Sequence, residues 1–216
     1  MLKFSEFLEE GKNDPAIFKA VFLAGSPGAG KSHVVEKIAF ESLGFRNVNS
    51  DVFFEHLRRK AGLPRNVDPE KEAPLRGKAS GMMDKKEVLY LMGRLGLVID
   101  GTGKNYNKIA NYKKELEDLG YETAMIYVSV PLDVSLYRNS KRDRVLPDDM
   151  VIEFWHQVDA NYPKFKKLFG KSFIKIDNQD SNPTLKAEFA KHYRTFMTWA
   201  KKKITNPIAQ KWIKEN

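Results

Sequence analysis

The sequence predicts an α/β fold organised around a phosphate-binding loop: a five-stranded parallel sheet with helices on both faces and an arginine-bearing lid. Three observations predict it. Residues 25–32 read GSPGAGKS, a full match to the phosphate-loop pattern G-x-x-x-x-G-K-[ST]. Short apolar runs alternate along the chain with segments of helical period, the pattern of a parallel sheet built from crossover units. Gly25, Asp51, Asp100 and Pro131 each fall at the carboxyl end of such a run, where open α/β sheets hold their ligands.

In chain order, Phe4, Phe7 and Leu8 share one face of a short predicted helix, and Asn13-Asp14-Pro15 reads as a turn. Residues 20–24, AVFLA, form the first buried strand, and residues 33–43 a helix ended by Gly44. Residues 45–49 form a second strand, and residues 52–60 a helix resting on Phe53, Phe54 and Leu57. Residues 62–81 contain Pro64, Pro69, Pro74 and Gly77 among many charges, and read as a long mobile loop on the acceptor side. A helix over 82–95 follows, with Met82 and Met83 as core filler. Strands are expected at 97–100, 123–130 and 172–176, and helices at 109–119, 132–141 and 148–169. A basic helix over about 183–204 and a short tail complete a single domain, with a lid near 138–147 and a C-terminal helical appendage.

Composition narrows the function. The 216 residues suffice for a substantial core, and 42% hydrophobic content argues against disorder. There is no cysteine, hence no disulfide scaffold and no thiolate metal site. No apolar run reaches membrane-spanning length, and the N-terminus turns acidic too early for a signal peptide. A net charge of +9 favours an anionic partner, whether nucleotide, sugar nucleotide or nucleic acid. His33, His56, His156 and His192 lack metal-ligand spacing; His33 reads as structural, Lys201 to Lys203 as a solvated face, and Trp155 and Trp199 as core.

The loop Gly25, Ser26, Pro27, Gly28, Ala29, Gly30, Lys31, Ser32 and His33 predicts an ATP site. Glycines let successive N–H groups turn toward phosphate oxygens, and the following helix N-terminus adds positive charge. Lys31 suits the β- and γ-phosphates, and the Ser32 hydroxyl suits Mg²⁺. Asp51, beside that loop, suits the proton-accepting role toward an attacking hydroxyl; the position equally suits a helix N-cap. Asp100 suits Mg²⁺ or the acceptor, or a turn before Gly101. The absence of glutamate after Asp100 argues against an ATPase motor, and no N-K-x-D motif marks a GTPase. Arg138 and Arg142 share a helix face and suit the charge of phosphoryl transfer; Arg144 lies beyond them, and the whole run also fits a solvated basic patch.

Residues 98–131, VIDGTGKNYNKIANYKKELEDLGYETAMIYVSVP, resemble the corresponding stretch of zeta toxins, P-loop kinases that phosphorylate UDP-N-acetylglucosamine on its sugar. Residues 137–142, YRNSKR, with Pro147 and the helix after it, resemble the lid of the bacteriophage polynucleotide kinase domain, as does Asn49-Ser50-Asp51. The resemblance spans about residues 18–169. It implies Lys31 and Ser32 as ATP and Mg²⁺ ligands, Asp51 as general base, Arg138 and Arg142 as lid arginines, and Asp100 in the substrate pocket where zeta toxins typically carry Glu. Thr102 and Lys104 are further acceptor candidates. The implied protein is an ATP-dependent kinase acting on a hydroxyl of a sugar nucleotide, nucleoside or polynucleotide 5′ end, in the cytoplasm of a bacterium or phage-infected cell, with an inhibitory protein partner. The alternative is a nucleic-acid-dependent ATPase or a polynucleotide 5′-kinase of nucleic-acid repair. Residues 62–81 and the helix after Pro183 match neither family.

Overall fold

The computed structural model describes residues 12–64, 69–179 and 185–216. Five strands, β1 (Lys19–Ala24), β2 (Phe45–Val48), β3 (Gly96–Asp100), β4 (Glu122–Ser129) and β5 (Phe173–Asp177), form one sheet in the order β2-β3-β1-β4-β5. Every pairing is parallel; Leu23 lies beside Asp100 on one flank and Ile126 on the other.

Strand β1 is central, and all six of its residues are buried. That is why it reads as a continuous apolar run rather than an alternating one. The alternation survives in space. Val21 and Leu23 face a core with Val34, Ile38, Phe40 and Phe196, whereas Ala20, Phe22 and Ala24 face one with Leu116, Val158 and Phe165. The first core is covered by α1 (Lys31–Ile38), a 3₁₀ turn (Phe40–Leu43) and α7 (Leu185–Ala200). The second is covered by α4 (Tyr106–Asp118), α6 (Asp148–Phe169), α8 (Pro207–Glu215) and Met83 of α3 (Pro69–Met92). Helices α2 (Asp51–Lys60) and α5 (Leu132–Ser140) stand at the strand ends beside the phosphate loop.

Four expectations need correction. Residues 62–81 are not a structureless loop, because α3 begins at Pro69 and runs through Pro74, Gly77 and Gly81. Residues 65–68 lie outside the described residues, as does the helix expected around Phe4, Phe7 and Leu8. The physical reason is tertiary: Glu72, Ala79 and Met83 are buried along α3, and α2 packs beside it. The helix expected over 33–43 breaks at Ala39, which takes a left-handed conformation (φ 52°) before the 3₁₀ turn. Met83 is core but Met82 is 44% exposed. The expected tail forms α8, whose Asn206 side chain accepts from the Ile208 N–H and whose Pro207 starts the first turn. Asn-Pro in these positions is a readable start signal.

Candidate active site

The site gathers at the carboxyl ends of β1, β2, β3 and β5. Between β1 and α1 the loop bends through Gly28 (φ 81°) and Gly30 (φ 89°). These positions have no room for a side chain: a Cβ on Gly30 would lie 2.2 Å from Asn178 Nδ2, and one on Gly28 2.5 Å from the Ser135 carbonyl. Gly30 is the N-cap of α1 and offers no side-chain cap. The leading N–H groups of that helix therefore remain available to an anion. Ser32 and His33 are exposed in its first turn.

The loop is braced from three sides. Gly25 N–H donates to the Thr102 carbonyl at 2.9 Å. Ser135 of α5 donates to the Pro27 carbonyl and lies 3.2 Å from the Ser26 hydroxyl. Asn178, just past β5, donates to the Ala29 carbonyl at 2.9 Å and accepts from Arg138 Nη2 through its own carbonyl, also at 2.9 Å. Arg138 thus lies against the loop. The helix ends at Ser140, so Arg142 lies beyond it and the two arginines do not share one helix face as expected.

Lys31 Nζ donates to the carbonyls of Gly25 at 2.7 Å and Ser26 at 3.4 Å. Burial lowers its pKa; the charges of Asp100 and Asp51 oppose that shift and Arg142 reinforces it. Asp100 is pushed above the usual carboxylate range by burial, with Lys31 and an Asn49 hydrogen bond opposing and Asp51 adding to the shift. Asn49 ties the two acids together: its Nδ2 donates to Asp100 Oδ2 at 2.8 Å, and its Oδ1 accepts from the Asp51 N–H at 2.7 Å. Asp51 is the first residue of α2 rather than its cap, which is Ser50. Its carboxylate is 57% exposed and 3.8 Å from Arg76. Lys31, Asp51, Asp100 and Arg142 therefore share one electrostatic neighbourhood.

The remaining candidates separate. Thr102 supports the loop through its carbonyl. Lys104 sets its ammonium over the Phe154 ring at 3.8 Å. Buried Asn161 of α6 donates to the Gly103 and Lys104 carbonyls at 3.1 and 2.9 Å, holding that turn. The segment after α5 is short and pinned, because Asn139 donates to the Leu146 carbonyl at 2.8 Å and accepts from its N–H at 3.3 Å. Arg144 in that segment reaches Glu72 with two nitrogens, at 3.2 and 3.3 Å.

Sequence reasoning passed over Asn178, Glu72 and Arg76. The strand-end rule used for the other strands, applied to β5, reaches Asn178. Glu72 and Arg76 are spaced i, i+4 inside the segment taken as loop, so helical spacing was the available signal.

The donor set suits a polyphosphate: backbone N–H groups, one lysine and arginines, around glycines that admit no Cβ. Among the described residues no group of three or more His, Asp or Glu side chains is placed to hold a metal alone.

The family model for zeta toxins matches residues 8–181. The chain belongs to the zeta toxin family. Cytidylate kinase of Saccharolobus islandicus is 25% identical over 150 residues, 69% of this chain and 73% of that one. The cytidylate kinase of Ignicoccus hospitalis is also 25% identical, over 69% of this chain and 80% of its own. Among solved structures, the AvrRxo1-ORF1:-ORF2 complex with ATP superposes with a TM-score of 0.59 at 16% identity, covering 80% of this chain and 61% of that chain. The Pnkp1/Rnl/Hen1 RNA repair complex superposes at 0.53 with 18% identity, covering 68% and 46%. This zeta toxin family member thus has the P-loop kinase fold, and its relatives support phosphotransferase chemistry.

Proposed function

We propose that this zeta toxin family protein transfers the γ-phosphate of Mg-ATP to a hydroxyl of a nucleotide-containing acceptor. The observation that carries the reading is the meeting of Lys31, in its glycine cradle, with Asp51 and Asp100 at adjacent strand ends. The structure of the AvrRxo1-ORF1:-ORF2 relative with ATP supports the choice of donor.

In this reading the loop of residues 25–33 holds the donor's phosphates through Lys31 and the N–H groups of Gly28, Gly30, Lys31 and Ser32, those of Gly25 and Ala29 being engaged by the Thr102 and Ser26 carbonyls. Mg²⁺, held by Ser32 and Asp100 together with phosphate oxygens, supplies charge neutralisation when bound. Asp51 accepts the proton of the acceptor hydroxyl. The acceptor oxygen forms a bond to the γ-phosphorus, the bond to the β,γ-bridging oxygen breaks, and ADP leaves with that electron pair. Arg138 and Arg142 stabilise the charge that spreads over the γ-oxygens, a contribution of ~10³–10⁵ in rate for a well-placed arginine. Thr102 braces the loop next to Asp100, and Lys104, turned onto Phe154, takes no part in this reading. A protein partner that restrains the activity is part of the proposal, supported by the two-component assembly of the AvrRxo1-ORF1:-ORF2 relative.

The test is transfer of labelled γ-phosphate from Mg-ATP to UDP-sugars, nucleosides, 5′-hydroxyl DNA and RNA, or water, with Lys31→Ala as control. We expect label on one acceptor class and its loss in the control. Release of free phosphate alone, stimulated by nucleic acid, would replace the kinase reading with an ATPase.

A further inference from the structure

We propose that the solvent face of α7, with the turn that follows it, is a docking surface for the phosphate backbone of a nucleic-acid duplex, outside the catalytic cleft. The inference stands apart from the kinase reading and does not depend on it.

Charge in this chain is segregated. Residues 189–214 hold seven lysines and arginines and no acid, so they carry all but two of the net +9. All seven are exposed. Among the described residues only Lys211 of the seven has a carboxylate within ion-pair distance, Glu215 at 3.8 Å. Helix α4 shows the usual alternative: Lys113 and Lys114 each meet an acid four residues on, both at 2.6 Å. Like charges along one helix face repel, and a bound polyanion relieves that repulsion.

The helix sets these charges in a row. Phe189, Tyr193, Phe196, Met197 and Ala200 turn into the core shared with α1. Lys191, Arg194, Thr195 and Thr198 lie on the exposed side. The Lys201 N–H still donates to the Met197 carbonyl at 3.0 Å, so Lys201 continues the row past the helix end. Positions 191, 194, 198 and 201 keep the three-and-four spacing of one face, over about 15 Å of helix axis. Between the cations, Thr195 and Thr198 turn their hydroxyls back to the Lys191 and Arg194 carbonyls, at 3.1 and 2.9 Å. The ground between the charges is therefore short and neutral.

The composition of the face selects the occupant. A lipid surface takes up the apolar side of an amphipathic helix, and that side of α7 is spent on the core. Single strands bind on exposed aromatic platforms, and protein partners on aromatic or aliphatic anchors. The exposed residues described on α7 are alanine, lysine, arginine and threonine only. Regularly spaced cations without anchors match a regular phosphate backbone whose bases are hidden. The row ends beside Trp199, whose carbonyl accepts from Lys19 at the start of β1, at 3.2 Å. That is the sheet end opposite the phosphate loop, so a duplex held here is a partner that localises the protein and not the acceptor beside Asp51.

The test is fluorescence anisotropy of a labelled DNA duplex of arbitrary sequence, titrated with the full chain over a range of salt. Wild type should bind with a Kd of about 10⁻⁴–10⁻⁶ M near physiological salt. The triple variant Lys191→Gln, Arg194→Gln, Lys201→Gln should flatten the slope of log K against log salt by about 2–3 and weaken binding ~10²-fold or more, with Tm unchanged. Lys201→Gln alone, beyond the helix end and free of any helix-stability effect, should flatten it by about 0.9. The matched triple Lys78→Gln, Lys85→Gln, Lys86→Gln removes the same charge from exposed positions of α3 and should bind as wild type does. Equal losses in the two triples would show that net charge alone is at work and would overturn the inference. So would absence of duplex binding, tighter binding to a single strand of the same length, or binding to phosphatidylserine vesicles in place of the duplex.

Discussion

Asn49 is a small residue with a large organising effect. Its amide bridges the Asp51 backbone and the Asp100 carboxylate, so the two acids cannot drift apart without breaking a hydrogen bond. The two acids differ in surroundings. Asp100 is half-buried and its pKa is raised, whereas Asp51 is open to solvent. An exposed carboxylate suits proton acceptance; an acid enclosed beside Lys31 suits a cation or a hydrogen bond. We therefore expect Asp51→Asn to lower kcat by ~10²-fold or more, the usual scale for a positioned base, while ATP KM changes little. Steady-state kinetics against both substrates checks this, and near-normal kcat would remove Asp51 from the chemistry. Lys31 was legible from the glycine-loop motif, and Asp51 and Asp100 from their places at the ends of expected strands. Arg76 was not, because its partner Asp51 is remote in sequence and its own segment carried misleading residues.

At the scale of elements, α3 shows why. A window with Pro74, Gly77 and Gly81 disfavours helix by ~3 kcal/mol for the proline and ~1 for each glycine. Burial of Glu72, Ala79 and Met83 and the packing of α2 outweigh that local preference. The same helix carries a second buried acid. Burial raises the Glu87 pKa from 4.5 to about 7, helped by Asp84 and opposed by Lys108. Tyr112 of α4 donates to it. A carboxyl with a folded pKa above its unfolded value stabilises the fold fully below the unfolded value, and that contribution is lost as pH rises through the folded one. Wild-type Tm should therefore carry a declining component between about pH 4.5 and 7, and Glu87→Gln should flatten it. Thermal unfolding across this range reads the difference; parallel profiles would mean that Glu87 is ionised throughout.

Across the whole molecule, the chain closes its sheet with its C-terminal helices. Phe196 of α7 enters the core on one face and Ala209 of α8 the core on the other. Ala209 fits over Gly120, where a Cβ would lie 3.0 Å from the Ala209 nitrogen. Trp212 stands edge-on to buried Phe18 at 5.6 Å. Both contacts lie at the starts of β1 and β4, the end of the sheet opposite the phosphate loop. Trp212→Ala should destabilise the fold by on the order of 2 kcal/mol, below the full cost for a buried tryptophan because the ring is half-buried. Urea unfolding measures this, with ATP KM expected to stay constant; a parallel loss of nucleotide affinity would show that α8 supports the site.

The sequence by itself determined the strand order of appearance, the phosphate loop with its lysine, and the strand-end acids. These are local: buried strands appear as apolar runs, glycines mark a turn that no Cβ can enter, and a helix start follows directly. Only the tertiary structure decided that α3 is a helix, that Asn178 braces the loop, and that Glu72 gathers Arg58, Arg76 and Arg144 around Phe54. Those interactions join residues separated by up to 149 positions. Their physical basis is burial of charge and apolar surface between distant segments, which no local period or propensity encodes.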